Sequence, residues 1–493
     1  MLKSSSTLGV VQTIGRFMLS LFPVMWVKTR VLGFMSKLID VEKHPQLAAK
    51  QALYALRSQR LQYFTFALIA VPFGLIGLTA LASSERTPLT GRWRVILLSP
   101  AEEEAISSDL QGHKWYDTVR DILAQSSGTG QAPPILAQGD WRWTWVDQTL
   151  RRLERAVLIL HNIEGYREAY EQHLMSQEGD QVLYPPPPKY PLLPRGRAST
   201  LLHEMPVHSD ADHEKGAEAA AHHSHHVAPH TLLGPPYALL VVNKDESNAF
   251  SYGFGPKGAG GVVVYSGFLD DILDRKPANQ QVSQPPTPPP ASRSLWSSVF
   301  GSASPPAPSP PPLSQVGPTP EQTSKLATLL AHELSHLVLS HHIETLSKGT
   351  ILFPSVVSIA VDTIRSLLYP LTFVVGPFFG DALDRTLRMG LDDLAKAGES
   401  CTNTSLEIEA DIISARILAL AGFDPRVAIE FWEERMDDSP PQKGKNARPK
   451  GNEAHPVGKE RIQALKDELL SWEVERARTL KKLQQKQTTL AAV

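Results

Sequence analysis

The sequence predicts a mainly α-helical α+β protein with one small β-sheet, preceded by a single transmembrane helix. Three observations carry this. Tyr63–Ala82 is free of charge and dominated by Phe, Leu, Ile, Ala and Val, and about 20 such residues span a bilayer core. The segments 141–173 and 321–348 have helical periodicity. Two short runs, Tyr237–Asn243 and Gly261–Ser266, are rich in β-branched residues and read as strands.

Along the chain, residues 1–45 form a basic segment in which Val10–Trp26 places apolar residues around Arg16. This composition predicts a mitochondrial targeting segment rather than a secretory one. The transmembrane helix follows at 63–82. Arg57 and Arg60 stand just before it, so a single crossing leaves the N-terminus in the matrix and the rest in the intermembrane space, if the membrane is the mitochondrial inner one. Arg92–Ser99 reads as a strand, and Pro100 with the acids behind it opens a helix. Residues 85–275 form the first half of a folded domain, interrupted at 177–236 by a His- and Pro-rich insertion. A Pro/Ser/Ala/Gln-rich insertion at 277–320 has the composition of disorder. The second half spans 321–475, and 476–493 is a charged tail. Thr350–Gly380 is apolar but broken by Asp362, Arg365 and three prolines, which predicts a helical hairpin packed on the domain.

Composition removes several functions. The formal net charge of −2 gives no pull toward nucleic acid. Cys401 is the only cysteine, so an intrachain disulfide and a thiolate zinc cluster are excluded. The forty prolines exceed what a compact domain needs and mark linkers. Gly253-Phe-Gly255-Pro-Lys-Gly258 has the spacing of a dinucleotide loop, but a strand follows instead of a helix, so no nucleotide site is expected. The histidines at 222, 223, 225, 226 and 230 read as a polar tract rather than a metal site.

The chemistry lies on the helix that Thr319 caps and Pro320 begins, with Gln322 completing a capping box. It is expected to run to about Lys348 and to stop at Gly349. At its centre stands His332-Glu333-Leu334-Ser335-His336. Histidines four apart share one helix face and can meet one zinc ion. Glu333 is rotated about 100° around the helix; it cannot easily share the metal but reaches the water activated there. The third ligand has two candidates. His342 has the offset of the extended metzincin pattern, but Leu339 stands where that pattern needs glycine, so His341 and His342 are expected on the helix's outer faces. Glu407 and Asp411 are four apart on a later helix and share a face, whereas Glu409 points elsewhere. Glu407 is the expected ligand, and Asp411 the partner of a ligand imidazole.

These motifs, with His455-Pro456 and Arg461 behind them, resemble the membrane zinc endopeptidases that include the CAAX prenyl endopeptidase and HtpX. The resemblance implies a zincin-type metalloprotease domain, one Zn2+ per chain, and hydrolysis with Glu333 as base. It implies that His455 stabilises the tetrahedral intermediate and that Arg461 braces the site. Asn248-Ala249-Phe250 resembles a segment of the family and is the expected substrate-binding stretch; the resemblance implies that the strand after it lies beside the cleft, where substrate backbone would pair. Within the family the chain looks like the stress-activated members of the mitochondrial inner membrane. The expected partners are protein substrates in or near that membrane, the lipid bilayer and a second copy of the chain, with no nucleic acid. Two alternatives stand beside this: a prenyl-protein endopeptidase of the endoplasmic reticulum, and a non-catalytic membrane scaffold that keeps a structural zinc.

Overall fold

The computed structural model describes residues 4–127, 130–161, 163–175, 183–192, 235–255, 257–274, 317–375, 404–437 and 458–491. The His-rich tract, most of the Pro-rich insertion and His455 lie outside them.

The chain opens with two long helices, α1 (Ser5–Leu38) and α2 (Ala48–Ala82). They pack as an antiparallel hairpin. Gly33 meets Ser58, Thr29 meets Thr65, and Gly15 meets Pro72, so contacts climb one helix as they descend the other. A third helix, which we call α10 (Phe353–Val375), lies beside α1. A Cβ on Gly15 would sit 3.0 Å from Ile359 Cδ1 and 3.2 Å from Pro72 Cβ, so the absence of a side chain there lets all three helices close up. Arg16 pairs with Asp362 at 3.1 Å, and Ser366 donates to the Leu19 carbonyl. The outer faces are apolar: Phe17, Val24, Phe34, Phe64, Phe66 and Phe73 are all exposed. That is the reverse of a water-soluble helix and suits lipid.

Three helical stretches, rather than the one expected, are long and apolar enough to cross a membrane: Ser5–Leu38, Pro45–Ala82 and His341–Tyr369. The sequence reads the first as a basic targeting segment around Arg16 and the third as a hairpin broken by Asp362, Arg365 and prolines. Two of those charges, Arg16 and Asp362, neutralise each other between helices. The hairpin expected over 350–380 is, through Val375, one continuous helix.

The domain that follows is α+β. A short ribbon pairs β1 (Ser84–Arg86) with β2 (Trp93–Val95), so only the first part of the expected strand 92–99 is a strand. Helices α3 (Pro100–Leu110) and α4 (His113–Ser126) come next, then α5 (Trp141–His161) and α6 (Ile163–Met175). The main sheet has the order β3-β5-β4: β3 (Ala238–Val242) runs parallel to β5 (Gly260–Tyr265), and β4 (Ala249–Gly253) antiparallel to it. Alternation divides its faces. Leu240, Val242, Val263 and Tyr265 pack on Trp115 and Val119 of α4. Leu239, Val241, Val262 and Val264 face the main core. Gly261 permits this closeness, because a Cβ there would fall 2.6 Å from the Trp115 ring.

The main core is completed by α7 (Ser266–Asp274), α8 (Pro320–Val338), α11 (404–420), α12 (Val427–Asp437) and α13 (Lys459–Ala491), while α9 (His341–Leu346) packs Ile343 in a smaller cluster with Ile96, Leu98 and Phe254. Helix α13 buries Ile462, Leu465, Leu469 and Trp472 and then continues through the expected charged tail as one helix.

Candidate metal centre

Helix α8 begins as its sequence requires. Thr319 accepts from the Gln322 backbone N–H, Gln322 accepts from that of Thr319, and Pro320 takes the first turn. Every residue from Leu326 to Val338 is buried, so His332, Glu333 and His336 stand in the middle of the core. The helix does not reach Lys348. It ends at Val338, and Ser340 adopts a left-handed conformation (φ 56°, ψ 41°) before α9 starts. Arg94 fixes this corner by donating to the Leu339 carbonyl while pairing with Glu85 at 2.9 Å. From α9 the chain continues through a π-helical turn, Ser347–Leu352, into α10.

Three donor side chains converge at the centre. His332 Nε2 is 3.2 Å from His336 Nε2 and 3.2 Å from Glu407 Oε2, and His336 Nε2 is 3.5 Å from Glu407 Oε1. Among the described residues, these three form the one group of His, Cys, Asp and Glu side chains placed to hold a metal ion. Their fit can be tested against zinc. Ligand atoms about 2.0–2.1 Å from a tetrahedral Zn2+ stand about 3.3 Å from each other, and the three observed separations bracket that value. The charge also fits. Burial alone would keep His332 neutral, but Asp411 and Glu407 override it and raise its pKa above the usual 6.5.

Around the donors lies a buried set of partners. Asp411 Oδ1 is 2.8 Å from His332 Nδ1, so the Nδ1 proton is held there and Nε2 turns its lone pair to the cluster. Arg461 donates to both oxygens of Asp411 at 2.8 and 2.9 Å and lies 3.1 Å from Glu407 Oε2. Its guanidinium sits 4.5 Å above the Trp432 ring, whose edge also meets His332. Burial would lower the Arg461 pKa, but Asp411, Glu407 and Glu333 raise it further into the cationic range. Glu333 itself is fully buried.

The structure therefore brings together His332, Glu333, His336, Glu407, Asp411 and Arg461. His455 lies outside the described residues. Asn248 precedes β4, with its carbonyl accepting from the Tyr265 N–H, and Ala249 and Phe250 begin that strand. Strand β4 is at the sheet's edge and packs on α8. Ser251 of β4 meets His342 Nε2 at 3.3 Å. A cavity of about 460 Å3 opens past the strand's end, walled by Tyr252, Phe254, His342 and Leu346.

The expected outward placement of His341 is corrected, while His342 is half-buried beside Ser251. The corner at Ser340 turns His341 inward, where it is buried with its Nδ1 2.9 Å from His336 Nδ1. Glu409 does point away from the metal ligands, as its offset from Glu407 requires. It accepts from Arg92 at 2.7 and 2.9 Å and from Thr90, and lies 3.2 Å from His341 Nε2. Burial would raise its pKa, but His341 and Arg92 hold it at about 2. Arg92 also binds Glu344 of α9 at 2.7 and 2.9 Å. Sequence reasoning missed His341, Arg92 and Glu344. One signal was available: Glu409 lies between Ile408 and Ala410, off the Glu407/Asp411 face, in a helix rich in apolar residues, and a carboxylate buried there demands a partner.

Comparison with known proteins agrees with this geometry. Residues 213–469, just over half of the chain, match peptidase family M48. The chain belongs to peptidase family M48. It is therefore a zinc metalloprotease, of the family that includes the CAAX protease and HtpX. Neither the curated proteins nor the solved structures contain a match. For an M48 peptidase the His332, His336 and Glu407 cluster is the place where zinc fits, and the apolar helices suit the membrane association frequent in the family.

Proposed function

We propose that this M48 peptidase is an endopeptidase of the mitochondrial inner membrane that cleaves membrane or membrane-tethered proteins during quality control and stress. The observation that carries the catalytic part is the convergence of two imidazole nitrogens and a carboxylate beside Glu333 on one buried helix. His332, His336 and Glu407 hold one zinc per chain. When bound, zinc supplies Lewis acidity and a water of lowered pKa. Glu333 takes the proton of the attacking water and passes it to the departing amine. Arg461 and Asp411 keep Glu407 and His332 oriented. The substrate backbone pairs with the edge of β4 from Ala249, which brings the scissile bond past α8. His455 stabilises the oxyanion.

Topology follows from the hairpin. Lys37, Lys43, Lys50, Arg57 and Arg60 cluster near its turn, so the turn faces the matrix. The catalytic domain, joined to the other end of α2, faces the intermembrane space. Helix α1 returns the N-terminus to that same side instead of leaving it in the matrix.

The test uses casein or a reporter peptide with purified wild-type and Glu333→Gln protein, and proteomic comparison of cells carrying each. Cleavage that requires Glu333 supports the reading, while equal cleavage by both sinks it. Protease added to mitoplasts should digest the catalytic domain, and intact mitochondria should protect it. The count of three apolar helices favours a second reading more than a single span did: processing of prenylated proteins in the endoplasmic reticulum. A farnesylated peptide cut in preference to its unmodified form would decide for it.

A further inference from the structure

The two zinc-binding histidines are backed differently. His332 has a carboxylate behind it, Asp411. His336 has a second imidazole, His341, with Nδ1 facing Nδ1 at 2.9 Å. Two ring nitrogens at that distance share one proton, and the rest of the network decides which ring carries it. His341 Nε2 lies 3.2 Å from Glu409 Oε2. Glu409 already accepts from the Arg92 guanidinium at 2.7 and 2.9 Å, so it is an acceptor and the His341 proton sits on Nε2. His341 Nδ1 is then the lone-pair atom, and His336 Nδ1–H donates to it. This leaves His336 Nε2 with its lone pair turned to His332 Nε2 and Glu407, where the metal donors meet.

The placement of His341 is built, not incidental. The left-handed Ser340 turns it inward, and Arg94 holds the preceding carbonyl. Arg92 ties Glu344, three residues along α9, to Glu409 on α11. Neither position nor tautomer of His341 is free to vary without breaking buried ion pairs.

We propose that His341 is a positioning residue for His336: it fixes the tautomer and ring plane of that zinc ligand, and Glu409 with Arg92 fixes His341 in turn. The proposal rests on the zinc reading given above. A role confined to packing would leave zinc affinity unchanged whenever the fold is kept.

The experiment is zinc uptake by full-length, detergent-solubilised, metal-stripped protein, read by competition with a chromogenic chelator, alongside the denaturant midpoint of each metal-free variant. His341→Leu should weaken zinc binding about 10–100-fold, the range typical when a partner of a ligand imidazole is removed. His341→Gln presents an amide oxygen near the lost Nδ1 and should restore affinity to within about threefold of wild type. Should the leucine variant not fold, Glu409→Gln carries the test, with an expected loss of at least about threefold. Wild-type affinity in folded His341→Leu, or in Glu409→Gln where that variant is decisive, overturns the proposal. So does an equal loss in His341→Leu and His341→Gln that tracks their denaturant midpoints. A wild-type protein that takes up no zinc overturns the zinc reading itself, and this inference with it.

Discussion

Replacing Arg461 by leucine should unfold the metal-free protein far more readily than the zinc-loaded one. The guanidinium makes two bonds to Asp411, at 2.8 and 2.9 Å, and one contact of 3.1 Å with Glu407, all in the core. Leucine fills part of the volume but leaves two buried carboxylates without that cation. Breaking one side of such a pair costs about 3–5 kcal/mol. Asp411 keeps its 2.8 Å bond to His332, which places the loss near the lower end, about 3 kcal/mol. That is a large part of the ~5–15 kcal/mol that holds a typical protein folded. Zinc places a new cation against Glu407 and should recover more than half of it. Arg461→Lys keeps the charge without the fork and should fall between. The assay is denaturant unfolding in detergent followed by tryptophan fluorescence, since Trp432 lies 4.5 Å from the guanidinium. A metal-free Arg461→Leu protein within about 1 kcal/mol of wild type would refute the claim that Arg461 balances these carboxylates.

Three further outcomes are expected. Glu333→Gln should keep zinc and lose at least about 10²–10⁴-fold in peptide hydrolysis, while His332→Ala should lose metal and activity together; metal analysis beside a peptide assay separates them. Ser340→Gly should stabilise the protein by about 0.5–1 kcal/mol, because glycine adopts the left-handed conformation without a Cβ penalty; a lowered melting temperature would show that the serine side chain matters more than its backbone strain. Glu102 caps α3 and also accepts from Ser5 of α1; burial would raise its pKa, but these bonds to Ser5 and Ser99 hold it at about 2. A carboxylate whose pKa is lowered on folding stabilises above its unfolded value, 4.5, and that stabilisation is lost as pH falls toward 2. Glu102→Gln should therefore flatten the stability profile of metal-free protein between those two values, as followed by acid unfolding.

The centre was legible wherever spacing alone decides a helix face. His332 and His336, like Glu407 and Asp411, are four apart, and helical geometry leaves them little choice of side. The sheet was legible from its β-branched runs, with β3 and β5 close to their expected limits. The corner at Ser340 was not, because serine is an uncommon residue for a left-handed position and nothing local announces it. Missing that corner hid His341. Arg92 was hidden for another reason: its partners Glu344 and Glu409 lie 252 and 317 residues away, beyond any periodicity. Of the three helices long and apolar enough to cross a membrane, the sequence marks one, because the first reads as a basic targeting segment and the third is divided by Asp362, Arg365 and prolines. Arg16 and Asp362 cancel only once the fold has placed them side by side.

The continuous helical path from α9 through the π-turn into α10 has a metric consequence. His341 stands twelve positions before Phe353, which is about 18 Å along a helix. If the bilayer surface lies at the start of α10, His341, which backs the metal ligand His336, can stand no more than about 18 Å from the lipid. An extended chain crosses that gap in about five residues, at roughly 3.3–3.6 Å each. The enzyme would then behave as a ruler, and a tethered protein would be cut according to how far its exposed stalk rises from the membrane. Lengthening the π-turn by a full helical turn should move the preferred cut outward by one or two residues.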